Sequence, residues 1–396
     1  MNDPAAAPVA AAERIELLDV LRGVALFGIL VVNLPLIALP LSEAMGSANA
    51  LEAGTSDEWI AALVRMFAEN KFMALFSTLF GAGLALQVDR AEARGVAPSS
   101  FYPRRLLVLA AFGALNGALV FFGDILLPYA IAGTLLYLLR KRSPKAMLWI
   151  AAAVMAVGLG LSVVFEGLFG GGGSGGGGQG AGDDLVAADL ALAHGSFLEA
   201  STARGLIYLA WLVLSSMIAF NWRILALFFV GAALLRLGWA TPEKRVLHRR
   251  AAIVGLLVGV TLEGASLCLH RREELDIGLR VADVLLHQLG GLALSAGYAG
   301  AVATWCWSGG MATLRRAVAR AGRMALTNYL GQNIVAGVIF FGYGFGLRGA
   351  LSHLEVFGVA CLIYAAQLAV SAWWMARASG GPFERLWRRL TYPKAR

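Results

Sequence analysis

Glu263 lies within the apolar run TLEGASLCL, with no cationic residue near it in sequence. A carboxylate at membrane depth is costly, so such a residue is a functional candidate by default. His287 follows Asp283 by four residues in VADVLLHQL, on one helix face. That spacing suits either a carboxylate orienting an imidazole for acid and base work, or an interfacial hydrogen bond. Glu263 and His287 are therefore the candidate catalytic groups.

Other polar residues read as binding candidates. In LLDVLRGVALFGILVVNLP, Arg22 and Asn33 are eleven residues apart. Eleven residues are about three helical turns, so the two share a face roughly 16 Å apart. They could line a cavity. Arg22 could also pair with Asp19 or snorkel to the interface, and Asn33 could bond a neighbouring helix. Asn116, the turn residue Asp124 and Arg223 are further candidates for holding a substrate. In GRMALTNYLGQN, Thr327, Asn328, Gln332 and Asn333 make a polar stripe, fit for a lined site or for polar glue between helices. Lys71, in ENKF, is expected to snorkel outwards.

No metal site is expected, because the five histidines show no ligand spacing on one element. There is no GxSxG elbow. The run GLFGGGGSGGGGQGAGDD lacks the lysine and helix of a phosphate-cradling loop and reads as a linker.

The elements that position these residues are membrane spans. Of the 396 residues 59% are hydrophobic and only 15% charged, against about a quarter charged in soluble domains. Apolar runs of about 20 residues recur throughout, enough to cross roughly 30 Å of hydrocarbon. The net charge of +8 falls in short clusters between apolar runs, the pattern of cytoplasmic loops, which argues against a nucleic-acid partner. Cys268, Cys306 and Cys361 read as buried packing residues. SANA at 47–50 resembles a cleavage site, but the preceding run is longer than a signal core, and a retained helix is expected.

Basic loops orient the chain as an all-α polytopic membrane protein with about ten spans and both termini cytoplasmic. Five spans fall in residues 1–166, near 20–41, 72–88, 106–122, 125–139 and 146–166. An external Gly-rich linker covers 167–202. About five spans follow in 203–376, near 222–238, 251–268, 284–306, 325–345 and 354–375. Within 203–238 one crossing fits the loop charges, with 203–220 at the outer interface. The basic tail 377–396 is expected to lie in the interface through Trp387 and Tyr392.

The stretches LLDVLRGVALFGILVVNLP, KFMALFSTLFGAGLALQ, GDILLPYAIAG, GRMALTNYLGQN and GPFERLWRRLTY resemble the YeiB-like family of bacterial inner-membrane proteins, a family of unknown function. That family is distantly similar to the transmembrane acyltransferases. The likeness implies a multi-pass protein of the bacterial inner membrane, moving an acyl group from acyl-CoA to a lipid-linked or small-molecule acceptor, with no tightly bound cofactor. Arg22 would face a phosphate, Asn33 and Asn328 would orient a carbonyl or hydroxyl, and His287 or Glu263 would be the base. The position matching the catalytic histidine of the sugar O-acyltransferases is Asn33. YeiB-like proteins often have His-Gly before the GDIL turn, where this chain has Asn116-Gly117. A transporter or flippase using the same polar stripe, and a non-catalytic scaffold, are the alternative expectations.

Overall fold

A computed structural model describes residues 15–44, 54–169, 179–272 and 275–392. Among them every regular element is a helix. The first half holds α1 (Glu16–Ala38), α2 (Leu41–Ala44), α3 (Ser56–Phe67), α4 (Lys71–Ala93), α5 (Tyr102–Leu119), α6 (Leu126–Leu138) and α7 (Pro144–Phe169). Next come α8 (Gln179–His194), α9 (Phe197–Met217), α10 (Ala219–Arg236), α11 (Arg245–His270) and α12 (Ile277–Ser308). The chain closes with α13 (Ala312–Arg323), α14 (Ala325–Phe340), α15 (His353–Met375) and α16 (Pro382–Thr391).

The chain is an all-α polytopic membrane protein. Eight helices among the described residues are long and apolar enough to cross a membrane. Each of the ten expected spans is a helix, but α5, α6 and α14 are shorter than the rest or less apolar. The eighth long helix is α9, within the stretch assigned to the outer interface. It is a full 21-residue apolar helix, and Tyr208 near its middle packs against Gly117 of α5. Phe197 packs on Tyr343, 5.3 Å between ring centroids, and a single residue, Ile218, separates α9 from α10.

Two ends of the bundle are distinguished by their ion pairs. Arg236, at the end of α10, binds Asp89 near the end of α4 and the Arg140 carbonyl after α6, at 2.6 and 2.7 Å. These elements therefore end together on the Arg-rich face. At the opposite face the starts of α4, α10 and α12 meet the end of α11.

Helices approach closely where residues are small, as membrane packing favours. Gly231 of α10 faces the Thr78 carbonyl of α4, and Gly255 of α11 faces Gly297 of α12. A Cβ at Gly322 of α13 would overlap the Asp19 carbonyl oxygen of α1. Gly322→Ala is therefore expected to lose about 1–3 kcal/mol by overpacking. Thermal unfolding checks this against Gly160→Ala, where a Cβ meets nothing within 4 Å and the midpoint should not fall.

Three expectations need correction. The segment 167–202 is not a linker throughout: α8 occupies much of it, because LVAADLALAH is rich in helix formers. Asp189 anchors that helix, accepting from the Leu41 N–H at 2.9 Å and pairing with Arg348 at 2.7 Å. The glycine run at 170–178 and SANA at 47–50 lie outside the described residues. The cysteines are not fully buried: Cys268 is exposed, and Cys306 and Cys361 are half-buried, Cys306 against the core. Trp387 does not lie in the interface but is buried, because α16 folds back against α5.

Candidate functional site

At the face opposite the Arg-rich loops, four helices bring together charges that the sequence scatters. Lys71 opens α4 and is fully buried, so it does not snorkel. Its Nζ lies 2.8 Å from Glu263 Oε1 on α11 and donates to the Arg65 carbonyl at 2.7 Å. Glu263 is 1% exposed, and its other oxygen is 2.9 Å from His287 Nδ1 on α12. Gly290, one turn beyond His287, leaves room for Glu263: a Cβ there would stand 2.9 Å from its Cγ.

The second ring nitrogen faces Asn70, Nε2 to Nδ2 at 2.8 Å. Arg223, near the start of α10, donates to Asn70 Oδ1 and to Gln288 Oε1. This chain fixes the protons. Arg223 can only donate, so it selects the oxygen of the Asn70 amide and turns the NH2 towards His287. Nε2 must then accept, which leaves the proton on Nδ1, directed at Glu263. An imidazole whose Nε2 accepts from the Asn70 amide and whose Nδ1 is backed by a carboxylate has the arrangement of a general base once an acceptor displaces that amide.

Asp283 is not the partner of His287. It accepts from Arg65 at 3.1 Å, from the Ser266 hydroxyl, and lies 3.3 Å from His270 Nδ1. The i, i+4 spacing gave way to a carboxylate from another helix, whose approach the sequence spacing cannot reveal. Glu263 itself has two partners, both distant in sequence.

A cavity of about 170 Å³ lies among α1, α4, α5, α14 and α16. Arg22, Arg105, Arg323 and Gln87 line it beside Phe76, Phe80, Tyr329 and Trp387. Gly83 of α4 makes space for Arg22: a Cβ there would lie 2.7 Å from Nη2. Arg22 also pairs with Asp19 at 3.3 Å. The Arg105 guanidinium stacks on Trp387, 3.6 Å from the ring centroid, while the Trp387 indole donates to the Arg105 carbonyl. Glu384 of α16 caps α14, accepting from Leu326 N at 2.7 Å and from the Thr327 hydroxyl at 2.6 Å. Burial pushes the Glu384 carboxyl up, against the pull of these hydrogen bonds.

The remaining predicted residues lie outside the His287 network and outside the cavity lining. Asp124 accepts from Leu126 N at 2.8 Å, Asn116 Nδ2 at 2.7 Å and Tyr329 OH at 3.4 Å, so it starts α6 and ties it to α5 and α14. Asn328 donates to the Ala321 carbonyl and to Ser371, both at 3.0 Å, and Gln332 lies 3.5 Å from Gln367. These contacts reach α13 and α15, and neither side chain lines the cavity described above. Asn33 is half-buried on α1 and likewise stands apart from the cavity lining. Asn70, Gln288, Arg105, Arg323 and Glu384 also belong to these two sites and are not among the residues expected from sequence. The signals were present in ENKF, in HQL and in GPFERLW, but each needs a partner from another helix.

A helical bundle enclosing an arginine-lined cavity and a buried ion network defines a multi-pass membrane protein with an internal polar site. The chain belongs to the DUF418 family, described as proteins of unknown function, whose model matches residues 234–394. It is 31% identical over 402 residues to the uncharacterized protein YxaH of Bacillus subtilis (strain 168), covering 97% of this chain and 96% of that one. It is 29% identical over 384 residues to the uncharacterized protein YeiB of Escherichia coli (strain K12), covering 96% of each.

Proposed function

We propose that the protein is a transmembrane acyltransferase of the bacterial inner membrane, with ten crossings, α9 lying along the outer face and both termini cytoplasmic. The carrying observation is that one helix, α4, borders both halves of the required machinery. Phe76 and Phe80 of α4 line the arginine cavity, and Lys71 of the same helix belongs to the His287–Glu263 network. From Lys71 to Phe76 is about 7.5 Å along the axis.

The cavity would take an acyl-CoA from the cytoplasm, its phosphates against Arg22, Arg105 and Arg323. His287 would take the proton of an acceptor hydroxyl or amine. The acceptor atom bonds the acyl carbon, the carbon–sulfur bond breaks, and the proton passes from Nε2 to the departing thiolate. A transport path along Asn328 and Gln332 is less well supported, since both bind neighbouring helices. A scaffold would not need the cavity.

Titration of the purified protein with CoA by calorimetry tests the donor site. Arg22→Gln and Arg105→Gln should each weaken binding about tenfold or more, the loss of a charged hydrogen bond. Absence of CoA binding by the unaltered protein, or unchanged affinity in both variants, contradicts the donor assignment.

A further inference from the structure

Asn70 has a backbone φ of 65°, in the left-handed region, immediately before α4. Asparagine tolerates that region better than other residues with a side chain. The conformation sends successive side chains to different helices: Asn70 to α10 and α12, Lys71 to α11. The amide is held from both ends, its oxygen by Arg223 and its nitrogen by His287 Nε2. A flip is blocked, because it would set the NH2 against the donors of Arg223. The exposed side of this junction carries Glu69, whose side chain is 46% exposed and whose Oε1 is 3.8 Å from Nε2.

We infer that Asn70 is a positioning residue that gates His287. In the empty site its amide N–H occupies the Nε2 lone pair, and an acceptor O–H or N–H must displace it before a proton can be taken. The gate keeps the imidazole in the tautomer that proton transfer needs, and it keeps water off the base until the acceptor arrives. Arg223, through the amide oxygen, holds the displaced side chain ready to return. The charged groups around the ring are Glu263 from α11, Glu69 from the turn before α4, and Lys71 and Arg223 at one remove. The inference rests on the reading of His287 as the base.

The test uses diethyl pyrocarbonate, which transfers its ethoxycarbonyl group to a neutral imidazole nitrogen, followed by mass spectrometry of the peptide that holds His287. The full chain is used in detergent, with the peptides of His194, His248 and His353 as internal references. Asn70→Gly removes the amide and suits the positive φ. It should speed modification of His287 about tenfold, as the masking hydrogen bond is lost. Asn70→Asp places a carboxylate against Nε2, favours the imidazolium and should slow modification below the unaltered rate. A merely structural role for Asn70 moves both variants the same way, by loosening the packing. Faster modification in both variants, or no change in Asn70→Gly, overturns the gate. Acyl transfer by the unaltered protein is measured separately. Its failure removes the acceptor from the account, whereas equal reactivity of the two variants removes the gate and leaves His287 as the base.

Discussion

Glu263→Ala should destabilise the protein by about 3–5 kcal/mol, the cost of breaking one side of a buried ion pair. Lys71 would keep the Arg65 carbonyl but lose the carboxylate 2.8 Å from its buried ammonium. His287 would lose the acceptor of its Nδ1 proton. The loss should be largely recovered in the double variant Lys71→Met, Glu263→Leu, because replacing both partners with apolar groups removes the uncompensated charge. Thermal unfolding followed by tryptophan fluorescence reads both. The comparison is Glu92→Ala, which breaks the more exposed pair with Arg140 and should change stability by no more than about 0.5 kcal/mol. Equal effects of Glu263→Ala and Glu92→Ala would mean that the network is not the dry, closed arrangement described.

His287→Ala should leave the bundle folded and reduce acyl transfer by a factor of about 10²–10⁴, the usual contribution of a general base. The ring is near the surface of the network, only one of its nitrogens faces Glu263, and Lys71 still pairs with Glu263 when the ring is gone. The two variants therefore separate roles: Glu263→Ala costs stability and activity together, His287→Ala mainly activity. A thermal midpoint for His287→Ala as low as that of Glu263→Ala would assign the histidine to structure alone.

The architecture was legible because membrane spans are written in single segments. Length, apolarity and basic loops each act locally, and all ten expected spans are helices. The stretch 203–238 was harder, because α9 has the composition of a span and only the single residue Ile218 separates it from α10. The helix at 179–194 was hidden by the glycines before it, whose composition coloured the whole segment.

The site was legible only in part, for a physical reason. Glu263, His287, Arg223 and Arg22 announced themselves individually, since each is expensive at membrane depth. Their partners did not. The nearest carboxylate in sequence, Asp283, lost to Glu263 because α11 and α12 pack through glycines at 255, 259, 290 and 297, which brings those backbones close together. Lys71 looked like a snorkelling residue because its counter-charge lies 192 residues away in the chain. Asn328 donates to Ser371 and Gln332 accepts from Gln367, both on α15, contacts that the spacing of the polar stripe cannot reveal.

The measurement that bears most directly on the central claim is transfer of label from radiolabelled acetyl-CoA. The purified protein, reconstituted in vesicles made from bacterial membrane lipid, is incubated with the donor, and the lipid and small-molecule fractions are separated. The account predicts label on an acceptor with the unaltered protein, and its loss with His287→Ala at unchanged vesicle incorporation. No transfer by the unaltered protein, or equal transfer by the two, would contradict it.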